Sequence, residues 1–135
     1  MAELKLVINN TKTGKSYQKV LPNNSLINKK AGEKIKGELI DLPGYELQIT
    51  GATSNAGIPM RADLQGIGKR KVLLSKGPCV TIKRKGMRKR KTVVANTINE
   101  AIAQVNLKVT EYGTQNLEDI LGKKEEAPIE QKIEA

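Results

Sequence analysis

Short runs in which apolar and polar residues alternate recur along the chain, with turn-forming residues between them. Leu4 to Ile8 (LKLVI) is brief, apolar and β-branched; NNTKTGK then supplies the Asn and Gly of a tight reversal, and SYQKVL resumes extended character. The pattern predicts an opening hairpin. Pro22 to Ser25 forms the next turn cluster, with Ser25 placed to cap one helical turn over Leu26 to Ala31 before Gly32 ends it. After the breakers Gly37 and Pro43-Gly44, the residues Tyr45, Leu47 and Ile49 alternate with Glu46, Gln48 and Thr50, as a half-buried strand would. The stretch from Gly51 to Lys69 holds four glycines and Pro59, which predicts a long loop rather than a helix or a central strand. Loops of that length in compact domains usually carry function.

Strand character returns at Lys71 to Ser75, Val80 to Lys83 and Lys91 to Ala95, with Gly77-Pro78 and Gly86 at the reversals between them. Thr97 and Glu100 have the spacing of a capping box and predict a brief helical turn before QVNLKVT, where Val105, Leu107 and Val109 alternate as a further strand. Asn116 is placed to cap a short helix over LEDIL that Gly122 stops. The remainder, KKEEAPIEQKIEA, is too poor in apolar surface to offset its ordering entropy. The expected fold is therefore mainly β: a small partly closed β-barrel with short helical turns over residues 1–122, and a disordered charged C-terminal tail over 123–135. No internal repeat is visible.

Composition sharpens this picture. The chain has 135 residues, 38% of them hydrophobic, with no Phe or Trp, so one domain with an aliphatic core is expected. The three tyrosines, Tyr17, Tyr45 and Tyr112, are scattered and predict core or edge packing rather than a base-stacking platform. A single cysteine, Cys79, and no histidine rule out an internal disulfide and the usual zinc sets, and Cys79 is expected to be a small buried packing residue. No apolar run approaches the length of a membrane span and MAELKLVINN does not read as a signal peptide, so a cytoplasmic protein with no membrane partner is expected.

Charge shows where function should be sought. The formal net charge is +10, and the segment Lys69 to Lys91 carries eleven of the 24 Lys and Arg residues, with no acid anywhere between Asp63 and Glu100. Its densest part, KRKGMRKRK at Lys83 to Lys91, has seven cations in nine positions. Gathered on one face, such a run repels itself unless a polyanion neutralises it, and a phosphate backbone is the natural partner. The plain alternative is a solvated face that only aids solubility. Against it stand the several arginines, whose forked guanidinium grips phosphate bidentately, and the flanking VLLS and TVVA, which read as buried strand sequence. The candidate nucleic-acid-binding residues are Arg61, Lys69, Arg70, Lys71, Lys76, Lys83, Arg84, Lys85, Arg88, Lys89, Arg90 and Lys91. An enzyme is not indicated: there is no histidine base, no phosphate-loop motif and no clustered carboxylate pair, and no cofactor or small-molecule substrate is expected.

Three stretches, in this order and spacing, resemble a known family. They are LPGYELQITGATSNAGIPM, VLLSKGPC at Val72 to Cys79, and the basic run leading into KTVVANTI. Together they are similar to the small-subunit ribosomal protein six of archaea and eukaryotes, which is distinct from the bacterial protein of the same number. The match centres on Gly57-Ile58-Pro59-Met60, a segment that without the resemblance reads as a structural turn. Ala52 and Ser54 stand where the family usually has a second glycine and an aspartate; Ser can make the same local bond to the backbone as Asp, and Ala is tolerated where φ is negative. The resemblance implies a β-barrel-like domain embedded on small-subunit ribosomal RNA beside neighbouring ribosomal proteins, in the short archaeal form that lacks the long basic tail of eukaryotic members. A free-standing RNA-binding translation or assembly factor is the alternative.

Overall fold

The computed structural model describes residues 3–22 and 25–122 of the chain. Seven strands make two sheets. Strands β1 (Glu3–Asn9), β2 (Ser16–Pro22), β3 (Lys34–Lys36), β4 (Glu46–Ser54) and β7 (Ile102–Glu111) form a five-stranded sheet in the order β2-β1-β7-β4-β3, while β5 (Lys69–Leu74) and β6 (Lys89–Val94) form a separate two-stranded ribbon.

Period-two patterning places the core. In β1 the residues Leu4, Leu6 and Ile8 are buried while their neighbours face outward, and β7 contributes Ile102, Val105, Leu107 and Val109 to the same core. From β4 come Leu47, Ile49 and Ala52, and loop residues Leu26, Ile40, Leu42 and Ile98 cover them. Each fully buried Leu or Ile contributes roughly 1.5–3 kcal/mol, so this aliphatic cluster stabilises the domain without Phe or Trp. Tyr45 and Tyr112 pack edge to face with centroids 6.2 Å apart, and the buried Tyr45 hydroxyl donates to the Gln115 carbonyl. Tyr17 is buried as well. The tyrosines thus serve packing, as their scattered positions predict.

The opening hairpin forms as its turn residues dictate: Gly14 takes a left-handed φ of 71°, and Asn10 N–H donates to the Lys15 carbonyl at 2.9 Å. β1 then pairs in parallel with β7, from Lys5 opposite Gln104 to Asn9 opposite Lys108. β4 runs antiparallel to β7 on its other side with register shifts near Gly51 and at Thr53/Ser54. This strand continues through Ser54, into the stretch expected to be loop, because Gly51 sits at a bulge and lets the ladder absorb a residue that would otherwise break it. The strand then reverses on itself: Ser54 N–H donates to Ile58 O at 2.9 Å, the Ser54 hydroxyl accepts from Ile58 N–H at 3.3 Å, and Met60 N–H returns to Ala52 O at 2.9 Å. Ser54 therefore makes the local bond expected of it, and Gly57 to Met60 is a structural turn.

The expected helical turns are reduced. Leu26 to Ala31 is a hydrogen-bonded turn leading to a bridge between Lys30 and Thr97, and no helix forms because Ala31 N–H is drawn to Asn96 O instead. Thr97 likewise makes no capping box: its hydroxyl donates to Asn96 Oδ1 and the chain makes one reverse turn closed by Ile102 N–H on Asn99 O. The helical pieces are a 3₁₀ turn at Gly37–Ile40 and a single π-type turn at Glu118–Gly122, whose Leu121 is buried.

The five-stranded sheet is not closed by backbone pairing. Its edges are tied by a side chain instead: Lys19 of β2, only 11% exposed, donates to the Ile40 carbonyl at 2.6 Å and to Asp41 at 3.0 Å, just beyond β3. The mainly β fold with short helical turns is as the sequence predicts. The tail expected over 123–135 lies outside the described residues.

Candidate nucleic-acid interface

The β5–β6 ribbon pairs from Lys69 opposite Val94 to Leu74 opposite Lys89 without a register shift. It is rooted in the domain at its open end. Met60 bridges Val94, Val94 N–H donates to Pro59 O and Arg61 N–H to Val94 O, each at 2.9 Å, while Ala95 and Asn96 N–H groups bind the carbonyls of Gly68 and Leu64. The loop from Arg61 to Gly68 is thereby a backbone-bonded foundation rather than a free segment.

In an antiparallel ladder opposite residues share a face and successive residues alternate. One face of the ribbon therefore carries Lys69, Lys71, Leu73, Arg90, Thr92 and Val94, and the other Arg70, Val72, Leu74, Lys89, Lys91 and Val93. The strand period splits the ribbon's six cations three and three, so they are not gathered on one face. Register also keeps them apart: each cation lies opposite Val, Leu or Thr, never opposite another cation. Direct cross-strand repulsion is thus avoided without any acid.

The two faces differ in cover. On the second, Leu74 and Val93 are 5% and 1% exposed, and the Arg70 guanidinium lies close against Gly66 of the foundation loop. On the first, Leu73 is 51% exposed, although the apolar VLLS run reads as buried in the sequence. The first face is the more open one: Lys69, Lys71, Leu73 and Arg90 are all exposed, and it is covered only at its root, where Val94 is 2% exposed and joins the core; on the second face Arg70 and Lys91 are exposed and Lys89 is half-buried.

Beyond the ribbon the chain turns at its far end. Lys76, Lys83, Arg84, Lys85 and Arg88 are all exposed, and Gly86, with φ 80°, supports a turn closed by Met87 N–H on Arg84 O at 3.3 Å. Val80 to Lys83 has no strand partner, contrary to its β-branched sequence, because Pro78 and the left-handed Cys79 (φ 61°) break the extended path at its start. Cys79 itself is exposed, which corrects its expected burial. Leu73, Ser75, Ile82 and Met87 line a shallow groove of about 380 Å³ bordered by Arg84, Lys85 and Arg88. Leu73, Ile82 and Met87 carry no charge and so gave no sequence signal.

Arg61 is used differently from the others. Its guanidinium binds Asp63 at 2.8 Å and the Lys76 carbonyl at 3.4 Å, so it braces the foundation loop against the end of β5. Among the described residues no ion pair involves any of the eleven cations from Lys69 to Lys91; the pairs present are Lys15–Glu118, Lys19–Asp41, Lys29–Glu33, Lys34–Glu46 and Arg61–Asp63. Among the described residues, then, no carboxylate neutralises the positive charge of the ribbon. Among the described residues no cluster of metal-ligating side chains occurs and no helix is long and apolar enough to cross a membrane.

Comparison with known proteins gives one answer. The family described as Ribosomal protein S6e matches residues 4–122 of the chain. The small ribosomal subunit protein eS6 of Methanocaldococcus jannaschii is 48% identical over 122 residues, covering 90% of this chain and 93% of that protein. The protein of the same name from Archaeoglobus fulgidus is 46% identical over 128 residues, covering 92% and 99%, and that of Methanococcus maripaludis 46% identical over 113 residues, covering 84% and 91%. These relatives are named as ribosomal subunit proteins, not as enzymes.

Proposed function

This chain belongs to the ribosomal protein S6e family, and from that premise we propose that it is a structural constituent of the small ribosomal subunit, held to ribosomal RNA by its basic ribbon. Neighbouring ribosomal proteins are its further partners, and the ribosome its location. One observation carries the RNA-binding part: eleven cations on a rooted ribbon and its tip, none of them neutralised within the described protein.

The physical role of the domain is to hold those charges in place. A disordered basic arm would lose ordering entropy on binding. Here the backbone bonds from residues 59–68 to 94–97 have already fixed the base of the ribbon before RNA arrives. Lys69, Lys71 and Arg90 on the more open face, with Lys83, Arg84, Lys85 and Arg88 at the tip, are seven exposed cations available to a phosphate path. Arg70, Lys76, Lys89 and Lys91 extend the positive field, and Arg61 acts as a brace. Recognition of this kind follows the shape and phosphate path of folded RNA more than its sequence.

Seven phosphate contacts give log K falling against log salt with a slope of roughly −5 to −6, at about −0.7 to −0.9 per contact. A titration of purified protein with protein-free small-subunit ribosomal RNA between low and moderate salt measures it. A slope near −1, or equal binding to any polyanion of matched length, would refute the reading. In cell extracts the protein is expected to stay with the small subunit through a high-salt wash.

A further inference from the structure

We propose that the groove at the tip of the ribbon is a docking site for a single unstacked nucleobase of the bound RNA. This rests on the reading of the ribbon as an RNA contact and names what the groove at its tip receives. The groove lies where the cations are densest, yet its floor is apolar: Leu73 from the open face, half bare at 51% exposure, with Ile82 and Met87 from the tip. Leu73 keeps half of its surface bare between the exposed cations of its face, whereas its neighbour Leu74 is 5% exposed. An apolar patch bordered by Arg84, Lys85 and Arg88 is matched by a ligand that has a flat uncharged part and an anionic part. A nucleotide is such a ligand, its base on the floor and its phosphates on the cations.

Two further features fit a base. Methionine and leucine accept a planar ring from either side without the geometric demands of an aromatic pair, which suits a ribbon that has no aromatic residue. The polar edge of the base also has partners. Ser75 lines the groove with a hydroxyl that can donate or accept, and among the described residues no hydrogen bond engages the backbone of Thr81, Ile82 or Lys83. Single-stranded loops and bulges of ribosomal RNA offer bases free to enter, whereas a regular helix keeps its bases stacked.

The test uses the full chain and protein-free small-subunit ribosomal RNA, probed with a reagent that modifies unpaired bases. Wild-type protein is expected to protect one unpaired base that Leu73→Ser with Met87→Ser leaves reactive. The same pair should weaken binding about 5- to 10-fold, the lower end of what one base contact provides, with the salt slope unchanged. Leu73→Gln and Met87→Gln, of nearly conserved volume, serve as a second pair, and thermal unfolding checks the fold of both. Arg84→Gln with Arg88→Gln, by contrast, should lower the slope by about 1.5. If that arginine pair weakens binding while both apolar pairs bind as wild type with the base still protected, the groove proposal is overturned and the ribosomal reading stands. If the arginine pair changes neither affinity nor slope, the RNA-binding reading itself fails. If the apolar pairs matter only once other ribosomal proteins are added, the groove takes a protein side chain and the proposal is overturned.

Discussion

Neutralising one face of the ribbon at a time tests how the structure presents its charge. The triple variant Lys69→Gln, Lys71→Gln, Arg90→Gln removes the cations of the open face, and Arg70→Gln, Lys89→Gln, Lys91→Gln removes those of the face backed by buried Leu74 and Val93. Both remove three charges from the same two strands, so sequence position and net charge do not distinguish them. Each phosphate contact adds about 0.7 to 0.9 to the salt slope, so the open-face triple should lower its magnitude by about 2 to 3. Near physiological salt, about 0.15 M, that slope corresponds to roughly 50- to 150-fold weaker binding. The covered-face triple should change the slope by less than about 1, through the general field alone. Gln keeps a polar, uncharged side chain and relieves like-charge repulsion, so neither variant should unfold earlier than wild type. Fluorescence anisotropy with protein-free small-subunit ribosomal RNA at five or six salt concentrations gives both slopes. Equal slopes for the two triples, or a larger loss from the covered face, would refute the assignment of the open face.

Three further outcomes concern the platform. Gly37→Ala would place a Cβ 2.1 Å from the Leu42 carbonyl oxygen and 2.9 Å from Tyr45, in backbone pinned by Gly37 N–H on Tyr45 O and Leu42 N–H on Gly37 O. A loss of about 3 kcal/mol in urea unfolding is expected, against less than about 1 kcal/mol for the uncrowded Gly51→Ala; similar values would show that the 3₁₀ turn is not rigid. Lys19→Met removes the part-buried bond to the Ile40 carbonyl and the exposed one to Asp41 across the open edges of the sheet and should cost about 1–2 kcal/mol, so an unchanged urea midpoint would mean those edges are not coupled. The hydrogen bond from Lys15 holds Glu118 below the ordinary carboxylate value, and that from Lys30 N–H, with Lys29 beside it, does the same for Glu33. Their small stabilising contributions are complete above about pH 4.3 and vanish as pH falls through the lowered values. Lys15 is raised by the same bond to Glu118, so its share is complete below about pH 10.4 and vanishes as pH rises through the raised value. Thermal unfolding of Glu118→Gln should show both ends flattened, with the acid-side share of Glu33 remaining; a profile parallel to wild type would contradict this.

Much of this protein was legible from residue order because the forces involved are local. Alternation of Leu4, Leu6 and Ile8, or of Val105, Leu107 and Val109, states which side of a strand is buried, and Asn and Gly at the reversal state where a hairpin turns. The crowding of cations between Lys69 and Lys91 likewise points to an anionic partner before any fold is known. Non-local pairing was not legible. Nothing in either segment says that β1 lies parallel to β7, that Ala31 bonds to Asn96 in place of a helical turn, or that Lys19 reaches past β3. Those choices depend on which backbone groups meet once the core has collapsed. The same holds for the site: charge density is a property of the sequence, but register in a two-stranded ladder divides the cations between two faces, and packing of the ribbon's root on the domain decides which side chains stay exposed. Leu73 shows the difference most plainly, because hydrophobicity marks it for the interior and only its place in the ladder turns it outward.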